Sequence, residues 1–126
     1  MTILIVDDKP DAVTYLRTFL EDNTFAVITA GDGKEGFEKA KFWHPDLITL
    51  DITMPEESGV WLLRNLRQDT DTAGIPIVIV TGASYEFKRF IETRKRLRPL
   101  ADYFEKPIDR EQFLARINEI LSARAV

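Results

Sequence analysis

Three acidic side chains, one hydroxyl and one ammonium stand at the ends of short apolar runs that predict β-strands. They are Asp7, Asp8, Asp51, Thr81 and Lys106. In a parallel α/β sheet the carboxyl ends of the strands meet along one edge, where ligands bind. The predicted topology would therefore bring these distant residues into one site. Several carboxylates with one hydroxyl and one ammonium suit a hard divalent cation beside a phosphoryl group.

Each carboxylate also has an ordinary interpretation when it is taken alone. Asp7 and Asp8 precede a predicted helix, where aspartate often caps the first turn, and Asp51 could be a turn residue. Their convergence favours a cation, because two carboxylates 4 Å apart repel by roughly 4 kcal/mol at an effective dielectric constant of 20. Such a cluster must raise a pKa, bind a cation or be neutralised by a nearby positive charge. Mg²⁺ fits, because it takes one or two carboxylates and keeps water or phosphate oxygens for the rest.

Short β-branched runs alternate with amphipathic stretches along the chain. The predicted strands are 2–6, 25–29, 46–50, 76–80 and a weaker 101–104, and the clearest predicted helices are 11–22, 33–43, 58–68 and 109–123. Nearly continuous apolar strands are typical of strands buried on both faces, and the weak fifth strand is interpreted as an edge. The alternation predicts an α/β fold of (βα)₅ type, with a parallel sheet covered on both faces, as one domain over residues 1–126.

Three residues predict where helices begin. Pro10 fits the first turn of the first helix, and Ser58 and Asp109 are candidate caps of two later helices. His44, the single histidine, precedes Pro45 and is interpreted as a surface turn residue rather than a catalytic base.

The composition restricts the classes of function. The 126 residues are 44% hydrophobic and 30% charged, the balance of a globular domain. The net charge of −4 gives no overall attraction to nucleic acid or an anionic membrane, and the lack of cysteine excludes disulfides and thiolate chemistry. No stretch approaches the roughly 20 apolar residues of a membrane span, and the N-terminus has no signal-peptide pattern. We therefore expect a cytoplasmic protein that binds neither membranes nor nucleic acid directly.

Four segments with chemical content follow one another along the chain: ILIVDDKP, HPDLITLDITMPEESG, VTGAS and DYFEKP. In this order and at these separations they resemble the receiver domain of two-component response regulators, over essentially the whole chain. The resemblance implies a flavodoxin-like, doubly wound sandwich with a five-stranded parallel sheet of order 2-1-3-4-5. It also implies a bacterial signalling switch within a phosphorelay, which assists its own phosphorylation and dephosphorylation but is not an enzyme acting on a separate substrate.

The resemblance assigns roles to the acidic positions. Asp51 matches the aspartate that takes a phosphoryl group from the phosphohistidine of a histidine kinase or a phosphotransfer protein. Asp8 matches the direct Mg²⁺ ligand and Asp7 a ligand acting through water, with Asp51 completing the acidic site. The backbone carbonyl of Thr53 matches the third protein ligand of the metal.

The resemblance also assigns the residues that would sense phosphorylation. Lys106 would hold a phosphoryl oxygen, ahead of a cis bond to Pro107. The Thr81 hydroxyl and the Gly82 amide would contact the phosphoryl group, and Tyr103 matches the aromatic switch that turns inward when Thr81 moves. The face of the fourth helix, fifth strand and last helix would then change, controlling an output partner or output domain, and the same face could join two copies.

The chain departs from the receiver pattern between Thr81 and Lys106, a stretch a few residues longer than usual. Within it, residues 88–98 carry six basic side chains and one acidic side chain. This local charge of +5 leaves −9 for the rest of the chain. The segment is either a solvated helix face or a docking surface for an acidic or phosphate-bearing partner.

Three other functions share parts of the pattern. A Mg²⁺-dependent phosphohydrolase would want an acid or base near Asp51, often an aspartate two residues later, where Thr53 stands. A nucleotide- or flavin-binding protein would need a glycine-rich phosphate loop after the first strand, where the acidic pair would repel phosphate. A degenerate module without phosphorylation would lack one of the key positions, and all of them are present.

Overall fold

The computed structural model of the chain describes residues 1–51, 58–82 and 100–124. Strands and helices alternate within these ranges, and the elements in chain order are β1 (Thr2–Val6), α1 (Pro10–Asp22), β2 (Ala26–Ala30), α2 (Gly33–Trp43), β3 (Leu47–Leu50), α3 (Ser58–Gln68), β4 (Ile77–Thr81), β5 (Leu100–Glu105) and α4 (Arg110–Arg124). The basic segment 88–98, interpreted above as a helix face or a docking surface, lies outside the described residues, so the label α4 belongs to the last described helix.

The five strands form one parallel sheet in the order β2-β1-β3-β4-β5. The central strands β1, β3 and β4 carry the continuous apolar runs, and their side chains are buried almost throughout because helices cover both faces. β5 is an edge strand, as its weaker pattern predicts. The predicted α/β class and the strand order are confirmed.

Two apolar cores lie on opposite faces of the sheet, because successive side chains of a strand point to opposite sides. One core joins the sheet to α1 and α4, and its buried members are Ile3, Ile5, Leu16, Leu20, Leu47, Val78, Val80, Phe113, Ile117 and Leu121. The other joins the sheet to α2 and α3, and it includes Leu4, Val6, Ile48, Leu50, Leu62, Leu63, Leu66 and Ile79. The sheet is therefore covered by two helical layers, as the (βα)₅ pattern predicts.

The helix starts agree with the predicted caps in two cases of three. Pro10 occupies the first turn of α1, and Asp109 Oδ1 accepts a hydrogen bond from the Gln112 amide at 3.1 Å at the start of α4. The prediction for Ser58 was wrong by one position, since Ser58 is already the first residue of α3. His44 is an exposed residue at the end of α2 with a left-handed φ of 47°, which agrees with the turn interpretation.

Both tryptophans of the chain are exposed on the layer formed by α2 and α3. Trp43 is 57% exposed and stands edge-on to Phe42, with ring centroids 5.0 Å apart. Trp61 is 43% exposed and stands edge-on to Phe37 at 5.9 Å. None of the described helices is long and apolar enough to cross a lipid bilayer.

The end of α1 is strained at Thr24. The Thr24 amide donates to the Glu21 carbonyl and the Phe25 amide to the Leu20 carbonyl, both at 3.1 Å, which is the paired bonding of a Schellman motif. The motif requires a left-handed residue, usually glycine, and Thr24 has φ 73°. A β-branched side chain is unfavourable in this conformation.

Thr24→Gly should therefore raise the free energy of unfolding by about 0.5–1 kcal/mol. The relief of about 1–2 kcal/mol of left-handed strain exceeds the entropy that glycine adds to the unfolded chain. Urea denaturation measures the difference. As a matched control, Thr14→Gly, at an exposed position inside α1, should lower stability slightly. A stability loss at both positions would contradict the assignment of strain to Thr24.

Candidate metal and phosphoryl site

The acidic site lies where β1 and β3 end side by side. Val6 pairs with Leu50 in the parallel register, so Asp7 and Asp51 leave neighbouring strands at the same level. The Asp51 amide donates to the Val6 carbonyl at 2.9 Å, and the Asp7 amide donates to the Ala30 carbonyl at 3.1 Å. These bonds extend the sheet by one residue and hold both carboxylates at its edge.

One ammonium is shared by the two buried carboxylates. Lys106 Nζ lies 3.2 Å from Asp7 Oδ2 and 3.4 Å from Asp51 Oδ2. The carboxylate side chains are only 3% and 2% exposed, whereas that of Lys106 is 29% exposed. The ammonium therefore reaches inward from the rim and offsets part of the cost of burying two negative charges.

The ionisation of Asp7 reflects its surroundings. Burial raises the pKa of the Asp7 carboxyl, and the Asp51 carboxylate raises it further. A hydrogen bond from the Lys9 amide to Asp7 Oδ1, 3.0 Å long, and the Lys106 ammonium lower the pKa only in part, so that it stays above its ordinary value. The native protein therefore holds a proton on Asp7 more readily than an unfolded chain would.

Lys106 is held in its charged form. Burial alone would lower the pKa of the ammonium, but the attraction of Asp51 and Asp7 outweighs burial and raises it. Among residues 1–51, 58–82 and 100–124, the site brings together three carboxylates, Asp8 included, and the Lys106 ammonium, so these described groups carry an excess of negative charge. A second cation would relieve that excess.

The three carboxylates fit a small hard cation. Oxygens of Asp7, Asp8 and Asp51 all lie within 4.8 Å of one another. Asp7 and Asp51 are buried and Asp8 is exposed, so the cluster is enclosed on its inner side and open to solvent on the other. An all-oxygen set with room for water is what Mg²⁺ requires. Thr53, the predicted backbone ligand, lies outside the described residues.

The structure describes the predicted sensing residues to different extents. Thr81 is the last residue of β4 and pairs with Glu105, next to Lys106, although its side chain lies outside what the structure describes. Gly82 follows it and is exposed. Tyr103, in β5, is half-buried against the core shared with α2 and α3. The Lys106–Pro107 peptide bond is cis, as the resemblance implies.

A cleft beside the site was not predicted from the sequence. It has a volume of about 360 Å³ and is lined by Ala12, Tyr15, Leu16, Lys106, Pro107 and Ile108. Lys106 thus forms a wall of the cleft while its ammonium reaches the carboxylates. In the sequence, only the apolar Pro107-Ile108 pair could have indicated a cleft here. The opposite wall comes from α1, about ninety residues earlier in the chain, so no local pattern connects the two walls.

Comparison with known proteins decides the family. The sequence-family model of the response regulator receiver domain matches residues 3–118 of this chain. The chain belongs to the response regulator receiver domain family. Among the relatives of this receiver domain, protein PilH of Pseudomonas aeruginosa is 37% identical over 120 residues, which cover 95% of this chain and 97% of PilH. The alkaline phosphatase synthesis transcriptional regulatory protein PhoP of Bacillus subtilis is 36% identical over 119 residues, covering 94% of this chain and 48% of PhoP.

Solved structures agree with the fold of this receiver domain. A sensor protein from Polaromonas sp. JS666 superposes with a TM-score of 0.87 and 26% identity, covering 97% of this chain and 96% of that one. The chemotaxis protein CheY4 of Vibrio cholerae gives a TM-score of 0.82 and 25% identity, covering 94% and 97%. The predicted family and the flavodoxin-like fold are confirmed.

Asp8→Ala tests the charge excess of the site directly. Because Asp8 is exposed and repels two carboxylates that share one ammonium, its removal should raise the melting temperature of the metal-free protein by a few degrees. The same variant should lose Mg²⁺ affinity, and thermal unfolding with a chelator and with Mg²⁺ measures both effects. Asp11→Ala, an exposed aspartate in the first turn of α1, is the control and should not weaken Mg²⁺ binding. A lower metal-free melting temperature for Asp8→Ala would mean that Asp8 is already compensated.

Proposed function

We propose that this receiver domain is a phosphorylation-controlled switch in which Asp51 takes a phosphoryl group from a phosphohistidine with the help of Mg²⁺. The observation that carries the proposal is the pairing of a buried, strand-end aspartate with Lys106 Nζ at 3.4 Å inside an acidic cluster. The donor would be a histidine kinase or a phosphotransfer protein. A cysteine-free chain fits the reducing cytoplasm in which we place this exchange.

The transfer step follows from the positions of the charged groups. An oxygen of Asp51 would attack the phosphorus in line, forming a P–O bond as the P–N bond to the donor imidazole breaks and its electron pair returns to nitrogen. The Lys106 ammonium would then pair with a phosphoryl oxygen. Asp7, Asp8 and Asp51, with the Thr53 carbonyl, would hold Mg²⁺, which supplies charge neutralisation for the phosphoryl oxygens.

The switch itself would follow from the charge that phosphorylation brings. A phosphoryl group adds nearly two negative charges and three acceptor oxygens, which would attract the Thr81 hydroxyl and the Gly82 amide. Movement of Thr81 would vacate space that Tyr103 fills from the neighbouring strand β5. The face formed by the predicted fourth helix, β5 and the last helix α4 would then change its contacts with an output partner, an output domain or a second copy of the chain.

The cleft supports a protein as the phosphodonor. It is lined mainly by apolar side chains of α1 and of the segment after β5, and Lys106 belongs both to it and to the acidic site. A donor that places an apolar side chain in the cleft would bring its phosphohistidine toward Asp51. Lys106 would then take part both in binding the donor protein and in the phosphoryl transfer.

The deciding experiment is phosphorylation by a small donor. The protein is incubated with acetyl phosphate and Mg²⁺, and its intact mass is measured. We expect the stable addition of one phosphoryl group, abolished by Asp51→Asn and retained by Asp71→Asn, a control at an exposed aspartate. Continuous phosphate release without labelled protein would favour a phosphohydrolase, and no reaction would favour a degenerate module.

A further inference from the structure

Asp102 uses its two carboxylate oxygens for two different parts of the molecule. Its Oδ1 accepts a hydrogen bond from the backbone amide of Tyr103 at 2.7 Å. Its Oδ2 accepts one from Nε of Arg116, in α4, also at 2.7 Å. A single side chain therefore joins the backbone position of Tyr103 to the middle of the last helix.

The pairing of β5 with β4 is irregular next to Asp102. The register of β4 and β5 shifts between Ile77, opposite Leu100, and Val78, opposite Asp102. Such an irregularity interrupts the ladder and re-aims the side chains beside it. β5 is also an edge strand, and among the described strands it pairs with β4 alone. An edge strand beside an irregular pairing has fewer ladder hydrogen bonds to break than a central strand, so we expect it to yield more readily when Tyr103 moves.

The helix is held on its other side by apolar packing. Phe113 and Ile117 are fully buried, and the Phe113 ring stands edge-on to Phe104 of β5 at 5.2 Å. Arg116 lies at the rim of this contact, with its side chain 40% exposed, and also reaches Glu119 at 3.1 Å. The buried side fixes where α4 lies, whereas the rim contact through Asp102 can follow a small shift of the strand.

We propose that Asp102 is a positioning residue that transmits the phosphorylation-dependent movement of Tyr103 to α4 through Arg116. The Tyr103 amide and the Arg116 guanidinium both donate to the carboxylate of Asp102. If the Tyr103 amide moves, the carboxylate reorients, and the Arg116 guanidinium must move to keep its hydrogen bond. This link rests on the proposed function, because it needs a movement of Tyr103 that phosphorylation drives. The contacts of α4 with a partner would then depend on the state of Asp51.

Amide hydrogen exchange of residues 110–124, measured with and without acetyl phosphate and Mg²⁺, tests the link. In the natural sequence we expect phosphorylation to change exchange in this helix about fivefold, a coupling of ordinary size. Asp102→Asn keeps an oxygen for the Tyr103 amide but loses the charge that holds Arg116. Arg116→Gln breaks the same link from the other side. Both variants should take up the phosphoryl group, by intact mass, and lose the response of the helix.

The control is Glu119→Gln, which removes the second partner of Arg116 and leaves the contact with Asp102 in place. It should respond to phosphorylation like the natural sequence. If Asp102→Asn and Arg116→Gln are phosphorylated and still show the full response, the link is overturned while the proposed function stands. If the natural sequence takes up no phosphoryl group, the proposed function fails and the link with it. The difference between the two states is the readout, because a merely structural role would alter both states equally.

Discussion

Lys106→Met should lower the free energy of unfolding of the metal-free protein by about 2 kcal/mol at neutral pH. Methionine keeps an apolar stem along the cleft but removes the ammonium that Asp7 and Asp51 share at 3.2 and 3.4 Å. Two buried carboxylates would then face each other without the ammonium that lies between them. Mg²⁺ should restore much of the lost stability, because it binds only the native arrangement of the carboxylates. Urea denaturation with a chelator and with Mg²⁺ measures both quantities.

The stability loss caused by Lys106→Met should depend on pH in a defined direction. The pKa of Asp7 is already raised, and removal of the ammonium should raise it further. The cost of Lys106→Met should therefore be largest at neutral pH and shrink as the pH falls below about 3.9, where Asp7 becomes protonated in the unfolded as well as the folded state. In the natural sequence the pKa of Lys106 is raised, so its contribution is complete below about pH 10.4 and is lost as the pH rises through the folded-state value.

Lys9→Met is the control for charge, because Lys9 is exposed and directly follows Asp7 and Asp8 in the chain. It should leave metal-free stability nearly unchanged. If Lys106→Met is destabilised equally with and without Mg²⁺ and at every pH, the lysine would be acting through its packing in the cleft rather than through its charge.

Phe113→Ala should cause the largest loss of stability, about 3–5 kcal/mol. Phe113 is fully buried and stands edge-on to Phe104 at 5.2 Å and to Phe19 at 6.3 Å. Its removal would leave a cavity where α1, β5 and α4 meet, and the lost contacts and the cavity both lower stability. The midpoint of urea unfolding measures the loss.

Phe42→Ala makes the same chemical change at a position that is 75% exposed. It should alter stability by less than about 0.5 kcal/mol. A comparable loss at both positions would contradict the assignment of Phe113 to the core.

Periodicity and strand-end chemistry were enough to predict most of the fold and the centre of the site. Val6 and Leu50 end apolar runs, so Asp7 and Asp51 had to emerge at one edge once the strands were parallel. The approach of Lys106 to the same edge follows from the same topology. These predictions depend on which face and which end of an element a residue occupies, and short sequence patterns specify both.

Other features depend on contacts between distant segments, which local patterns do not contain. The cleft needs Leu16 of α1 to lie opposite Ile108, and nothing near either residue indicates the other. Asp102 binds both the Tyr103 amide and Arg116 next to a register shift of β5, and the short, weakly apolar sequence of this strand reveals neither the shift nor the contact with α4. Thr24 conflicts with its left-handed turn, so local preference alone would have placed a glycine there.

The two tryptophans make the intrinsic fluorescence of the protein sensitive to one face of the sheet only. Trp43 and Trp61 both belong to the layer of α2 and α3, and both are partly open to solvent. A partner that covers this layer would shift or quench the tryptophan emission. A partner that contacts only α1 and the cleft would leave the emission nearly unchanged. The intrinsic fluorescence can therefore tell which side of the sheet a binding partner occupies, without any label.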